Sequence, residues 1–161
     1  MQKEILAQDS LFFRTQFRIR VYNKLGRLKA KRICKNLVVN DGKGELGDLM
    51  LNKTNNRLKN INLGSSSQAP TVSDTDLITP LTPSTRLAAD DPGGLVRLNN
   101  VITVSVFVLT TQWTRPATVN EIGVFFDPQL TGKLFARALV SPSLTLASGD
   151  TARVDYDVTI G

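Results

Sequence analysis

Residues 151–160 read TARVDYDVTI. Val154, Tyr156, Val158 and Ile160 fall on one side of an extended chain, and Arg153, Asp155, Asp157 and Thr159 on the other. Successive side chains of a β-strand point to opposite faces. The stretch therefore reads as a strand with its apolar side on a core and its polar side outward. The two aspartates are expected to be solvated, or to meet cations across a subunit contact.

The same period of two recurs along the chain. Residues 15–23 (TQFRIRVYN) set Phe17, Ile19 and Val21 against Arg18, Arg20 and Tyr22. Asn23-Lys24-Leu25-Gly26 supplies turn residues, and residues 27–39 (RLKAKRICKNLVV) resume as the second arm of a β-hairpin. Leu28 and Ala30 read as one face, with a bulge near Lys31 and Arg32 switching register to bring in Ile33 and Leu37. Asn40-Asp41-Gly42 reads as a turn. Strands are also expected over residues 58–63, 95–112, 119–126 and 133–140. In the long run 95–112, positions 102, 104, 106 and 108 share one face. A turn is expected at 127–132 and a connector at 142–146. Residues 45–53 (ELGDLMLNK) are the best helix, with Leu46, Leu49 and Met50 at i, i+3, i+4 and Gly47 weakening it. Residues 64–70 read as an exposed loop. Ser73 to Asp76 suggests a further short helical turn, stopped by Pro80 and Pro83. The expected fold is all-β, mainly an antiparallel β-sandwich, with one or two short helices and an N-terminal β-hairpin.

Charge divides the chain. Of its 161 residues, the first thirty-six hold ten Lys/Arg and two acids, a net of +8; the rest hold ten Lys/Arg and twelve acids, a net of −2. Residues 1–36 are therefore read as a basic segment and hairpin packed on the domain or on a neighbour, and residues 37–161 as the sandwich. The basic hairpin admits three readings: phosphate contact to nucleic acid, an edge strand kept soluble by Lys and Arg, or a patch facing an acidic partner.

There is no histidine and one cysteine. Zinc clusters, hydrolases with a histidine base and disulfide frameworks are excluded by that composition. Cys34 reads as a buried structural thiol. The longest apolar run, 101–109, is too short to span a bilayer, and no secretory signal is read at the N-terminus, which points to a cytoplasmic setting.

Carboxylates are the remaining candidates for chemistry. Asp74 and Asp76 form a DxD, and Asp90-Asp91 precede Pro92-Gly93-Gly94, but neither has the spacing of a calcium loop. Gly93-Gly94 precedes a strand and not a helix, so it is no phosphate loop. Glu121, in VNEIGVFF, turns toward a buried side and then needs Arg137 or Arg115 as partner. No catalytic, cofactor-binding or metal-binding residue is assigned, and an enzyme is the least expected reading. The residues expected at a partner interface are Leu11, Phe12, Phe13, Arg18, Arg20, Lys29, Lys31 and Trp113; Trp113 reads equally as a core plug.

Five segments together resemble a known group: residues 36–42 (an asparagine-valine strand entering a glycine turn), 61–64 (INLG), 74–77 (DTDL), 121–125 (EIGVF) and 149–160 (GDTARVDYDVTI). Their order resembles that of small tailed-bacteriophage virion proteins associated with tails, baseplates and fibres, over roughly residues 30–161. The resemblance implies a sandwich-like structural subunit of a virion, assembled in the host cytoplasm, a homo-oligomer whose partners are other virion proteins. It carries over no catalytic residue. Other readings are a capsid decoration or head-fibre protein, a nucleic-acid-binding module using the basic hairpin, and a carbohydrate-binding sandwich.

Overall fold

Alternating apolar residues need a second layer to cover them, and the chain supplies it with two five-stranded antiparallel sheets. The computed structural model describes residues 13–81, 86–89, 94–109, 116–126 and 132–161. The first arm of the hairpin is β1 (Phe13–Tyr22), the second β2 (Leu28–Lys35). They are followed by β3 (Leu37–Val38), α1 (Asn40–Met50), β4 (Leu58–Gly64), β5 (Leu87–Ala88), β6 (Leu95–Leu98) and β7 (Val101–Val108). The chain closes with β8 (Ala117–Phe126), β9 (Leu134–Leu146) and β10 (Thr151–Ile160). The first sheet has the order β2-β1-β10-β7-β6 and the second β3-β9-β8-β4-β5.

The hairpin is part of the first sheet. β1 pairs with β10 along its whole length, from Phe13 opposite Ile160 to Tyr22 opposite Thr151. Its inward residues Phe17, Ile19 and Val21 are buried beside Val154 and Tyr156, and Val104, Val106 and Val108 of β7 extend the same layer. Ile61, Leu63, Ile122, Val124, Ala136 and Ala138 face them from the second sheet. Tyr156 sits at the centre, with Phe17 at 4.6 Å and Phe135 at 6.1 Å between ring centroids. Cys34 is buried in this core.

The two outer faces differ. On the second sheet Glu121, Gly123 and Phe125 of β8 stand beside Asn62 and Asn60 of β4 and are buried as well. Helix α1 and the residues around Leu77 cover that face: Val39, Leu77, Phe125 and Leu134 form a second small apolar cluster. No described segment of the chain covers the outer face of the first sheet in this way.

Several local expectations change. The helix starts at Asn40, so Asn40-Asp41-Gly42 is its first turn. Its buried residues are Gly42 and Glu45; Met50 is 76% exposed, and Leu46 and Leu49 are half-buried. The cause is packing. A Cβ on Gly42 would lie 2.4 Å from the Phe135 carbonyl oxygen, so glycine lets the helix lie against the β9 backbone. The expected helical turn at residues 73–76 is absent: a turn over residues 71–74, closed by the Asp74 N–H to Thr71 carbonyl bond, stands there, leaving α1 as the one helix among the described residues. The bulge of the hairpin falls at Lys29, between Val21 opposite Ala30 and Tyr22 opposite Leu28. Leu28 and Ala30 thus lie on opposite faces, and Ile33 points outward opposite Arg18. The run 95–112 is broken into β6 and β7 by Asn99, which has φ 55°, and Asn100; asparagine tolerates that left-handed geometry. β9 continues through Pro142 to Leu146 instead of ending in a connector. Its short neighbour β3 pairs only with Arg137 and Ala136, and the register with β8 skips residues 140–143, so Pro142 lies in a bulge on an open edge where no ladder N–H is lost.

Helix α1 gives a test in which two like substitutions act in opposite directions. Gly42→Ala should lower stability by about 1–3 kcal/mol, because the helix must move off β9. At Gly44 a Cβ meets nothing within 4 Å, so Gly44→Ala should raise stability by up to about 1 kcal/mol through helix propensity alone. Urea denaturation of the two variants measures both signs.

Candidate functional site

The β1–β10 and β10–β7 registers bring cations and carboxylates together on the outer face of the first sheet. Arg18 stands opposite Asp155, Gln16 opposite Asp157 and Arg20 opposite Arg153. On the other side of β10, Asp155 faces Ser105 and Asp157 faces Thr103. Long arginine side chains reach the diagonal neighbour as well as the one opposite. Arg18 grips Asp157 with two nitrogens: Nη2 donates to Oδ1 at 2.8 Å, and Nε lies 2.6 Å from Oδ2. Arg20 Nη2 donates to Asp155 Oδ2. Asp155 Oδ1 accepts from Ser105 Oγ at 2.6 Å and Arg153 Nε at 2.8 Å. Thr103 Oγ1 donates to Asp157 Oδ1 at 2.8 Å.

Expected to be solvated, both aspartates are instead buried, Asp155 at 0% exposure and Asp157 at 6%. Arg18, Arg20 and Arg153 lie over them, their side chains between 29% and 38% exposed. A carboxylate tolerates this only with its lone pairs filled by donors. For Asp155, burial pushes the carboxyl upward, but bonds from Ser105, Arg153 and Arg20 outweigh it and hold the group below the ordinary aspartate range.

The interface residues expected from the sequence are therefore divided. Arg18 and Arg20 are committed to carboxylates of their own chain. Lys29, the bulged residue, does not join them: its Nζ donates to Asp150 at 2.7 Å, and the same Asp150 oxygen accepts the Ala147 N–H, so Lys29 ties down the β9–β10 turn. Lys31 is exposed on the outer face opposite Arg20; its carbonyl accepts from Arg32 Nη1 at 2.9 Å, and its ammonium pairs with no carboxylate among the described residues. Phe13 is exposed at the start of β1. Leu11, Phe12 and Trp113 lie outside the described residues, as do Asp90, Asp91 and Arg115.

A second charge network closes the opposite side. Arg137 is the partner of Glu121, as expected: both are fully buried, with Nε donating to Oε2 at 2.8 Å. The remaining nitrogens of Arg137 reach into the loop after β4, to Asp74 Oδ2 and the Gln68 carbonyl, each at 2.8 Å. Glu121 accepts the backbone N–H groups of Thr79 at 2.7 Å and Ile78 at 3.2 Å. The loop is thus strapped to the sheet from both ends. Gly64 makes room, since a Cβ there would lie 2.4 Å from Glu121 Oε1 and 2.7 Å from the Thr79 carbonyl oxygen. The two carboxylates of the DxD part company: Asp74 caps Thr71 and binds Arg137, and Asp76 binds Arg86 at 3.2 Å. Burial pushes Asp74 up, yet its bonds from Thr71 and Arg137 hold it below its ordinary value. Arg86 is itself buried, lies 3.6 Å from the Phe125 ring centroid and donates to the Gly132 carbonyl at 2.7 Å. Among the described residues no group of three or more His, Cys, Asp or Glu is placed to hold a metal ion.

At the β6–β7 end of the first sheet the outer face carries an open groove of about 370 Å³. Arg18 and Asp157 border it on one side, and Val96, Leu98 and Asn100 on the other. Among the described residues no helix is long and apolar enough to cross a membrane. Comparison of the chain with protein-family models, with curated proteins and with solved structures found no match.

Two predictions follow from the networks. Asp155→Asn should cost about 2 kcal/mol near neutral pH, the scale of charged hydrogen bonds to partly exposed arginines. The depressed Asp155 carboxyl stabilises the fold above the unfolded-state value near pH 4 and stops doing so as pH falls through its lower folded value. The difference between wild type and Asp155→Asn should therefore be full above about pH 5 and narrow in acid, which denaturation at a series of pH values would follow. For the second network, Glu121→Leu or Arg137→Leu alone should cost about 3–5 kcal/mol by leaving one buried charge unpaired. The double variant should recover part of that loss, but not all, because the Ile78 and Thr79 N–H groups lose their acceptor; a double-mutant cycle reads the coupling.

Proposed function

We propose that this chain is a non-enzymatic structural subunit of a bacteriophage virion, placed in the tail, baseplate or fibre-attachment region and acting through protein–protein assembly. The order of motifs at residues 36–42, 61–64, 74–77, 121–125 and 149–160 points to that class of particle. The observation that carries the assembly part of the reading is the asymmetry of the sandwich. The outer face of the second sheet is covered by the chain's own helix and loop, whereas the first sheet presents Ile33, Val96, Leu98 and Phe107 uncovered beside a layer of fixed arginines. Exposed apolar residues set on both sides of a cluster of arginines on an uncovered sheet face are suited to burial by a protein partner. The buried carboxylates, for their part, support a scaffold: Glu45, Asp74, Glu121, Asp155 and Asp157 are each bonded to cations of their own chain.

On this reading the protein resides in the virion after assembly in the host cytoplasm, its partners are other virion proteins, and copies of it associate with one another. A capsid decoration role would use the same kind of surface. A nucleic-acid role for the hairpin is less well supported, because the exposed side chains that lie among its outward cations, Leu28 and Ile33, are aliphatic and offer no stacking platform for bases.

Light scattering on the purified protein at low and at high salt tests the proposal. A defined oligomer that survives high salt is the expected result, since apolar burial is not screened. A monomer at both salts would contradict self-assembly.

A further inference from the structure

We propose that the outer face of the β2-β1-β10-β7-β6 sheet docks a different protein, one presenting carboxylates among apolar side chains. This deepens the assembly reading and rests on it.

The charge on the face selects the partner. Among the described residues six cations point outward from it: Arg14, Arg18, Arg20, Lys31, Lys35 and Arg153. Two carboxylates, Asp155 and Asp157, lie beneath them, so the described residues of the face carry a net +4. A second copy docking face to face would set +4 against +4, and like charges brought together at an interface cost several kcal/mol. Charge therefore disfavours a two-fold contact of this face with itself. The occupant of the face is acidic.

The arginines are built to receive carboxylates. Asp155 and Asp157 fix the orientation of Arg18, Arg20 and Arg153, yet Nη1 of each has no acceptor among the described residues. Held in place, these guanidinium groups lose little rotamer freedom on binding, which is the usual cost of using arginine at an interface. Their free N–H groups match the geometry of an incoming carboxylate.

The apolar residues decide between a protein and a nucleic acid. Leu28, Ile33, Val96, Leu98 and Phe107 are each about half exposed or more, Leu98 reaching 71%, and they flank the arginines on both sides of the sheet. A phosphate backbone has no use for aliphatic side chains, and base stacking needs aromatic platforms, of which these five include only Phe107. Aliphatic residues around arginine are what a protein interface buries. The groove between Arg18 and Leu98 is wide enough to seat one apolar side chain of the partner.

Binding of a random glutamate–tyrosine copolymer, of polyglutamate and of oligothymidylate to the immobilised full chain tests this. The copolymer should bind at least tenfold more tightly than either of the others. The pair Lys31→Glu and Lys35→Glu should weaken copolymer and polyglutamate alike by tenfold or more. The pair Ile33→Ser and Leu98→Ser should remove the copolymer's advantage while leaving polyglutamate unchanged. Tighter binding of oligothymidylate would overturn the proposal in favour of nucleic acid, and copolymer binding unmoved by both pairs would overturn it outright. Light scattering on the Ile33→Ser/Leu98→Ser variant separates this from the assembly reading. An oligomer that persists while copolymer binding falls supports a distinct docking face; an oligomer that dissociates means that a second copy covers the face and overturns the proposal.

Discussion

The ten-residue ladder between β1 and β10 is the constraint from which most of the structure follows. Its register sets Phe17, Ile19 and Val21 beside Val154 and Tyr156 on the core side. The same register, read on the other side, sets Arg18 and Arg20 over Asp157 and Asp155. A slip of one residue would send every one of these side chains to the wrong face. Core packing and charge pairing therefore specify one alignment twice over. Each alone would leave alternatives, because apolar strands tolerate slippage and surface ion pairs contribute little.

That ladder also changes what the basic N-terminal segment is. By composition, residues 1–36 carry a net of +8 and the remainder −2, which leaves open whether the segment packs on its own domain or on a neighbour. Folding brings the halves together: cations of β1 and the β1–β2 bulge meet Asp150, Asp155 and Asp157 from the far end of the chain. The arginines nearest β10 bind its carboxylates, and the charge left over on the face is shared by Lys31 and Lys35 of β2 with Arg14 and Arg153. A lysine-bearing edge strand resists pairing with other strands. The outward charge of the hairpin is thus partly protection and partly a means of selecting what docks on the neighbouring face.

Much of this was legible in the sequence, and the exceptions share a cause. Alternation located the long strands of both sheets but not the two-residue β5, and the apolar sequence around Glu121 was enough to require a cation, which Arg137 supplies. Cys34 is buried as its residue type suggests. What could not be read depends on residues far apart in the chain. Asn-Asp-Gly at 40–42 carries every local sign of a turn, and only the close approach of Phe135 explains why it opens a helix. The burial of Asp155 and Asp157 needs arginines 135 and 139 residues away, and nothing within β10 announces them. Lys29 and Asn99 are subtler: single residues at which a bulge and a left-handed turn reset the alternation that continues on either side. A usable signal did exist in the paired acids of β10 facing the same way as the paired arginines of β1, and weighing those strands as neighbours would have found it.

The central claim is that the basic hairpin is an integral strand pair of the sandwich, locked to β10 by paired charges and shared core. Amide hydrogen exchange on the isolated protein tests it most directly. The account predicts that the ladder amides of β1 exchange as slowly as those of β10 and β8, through opening of the whole domain. Rapid exchange of β1 while β8 and β9 stay protected would contradict it, showing the hairpin to be a separable arm whose arginines are not held by Asp155 and Asp157.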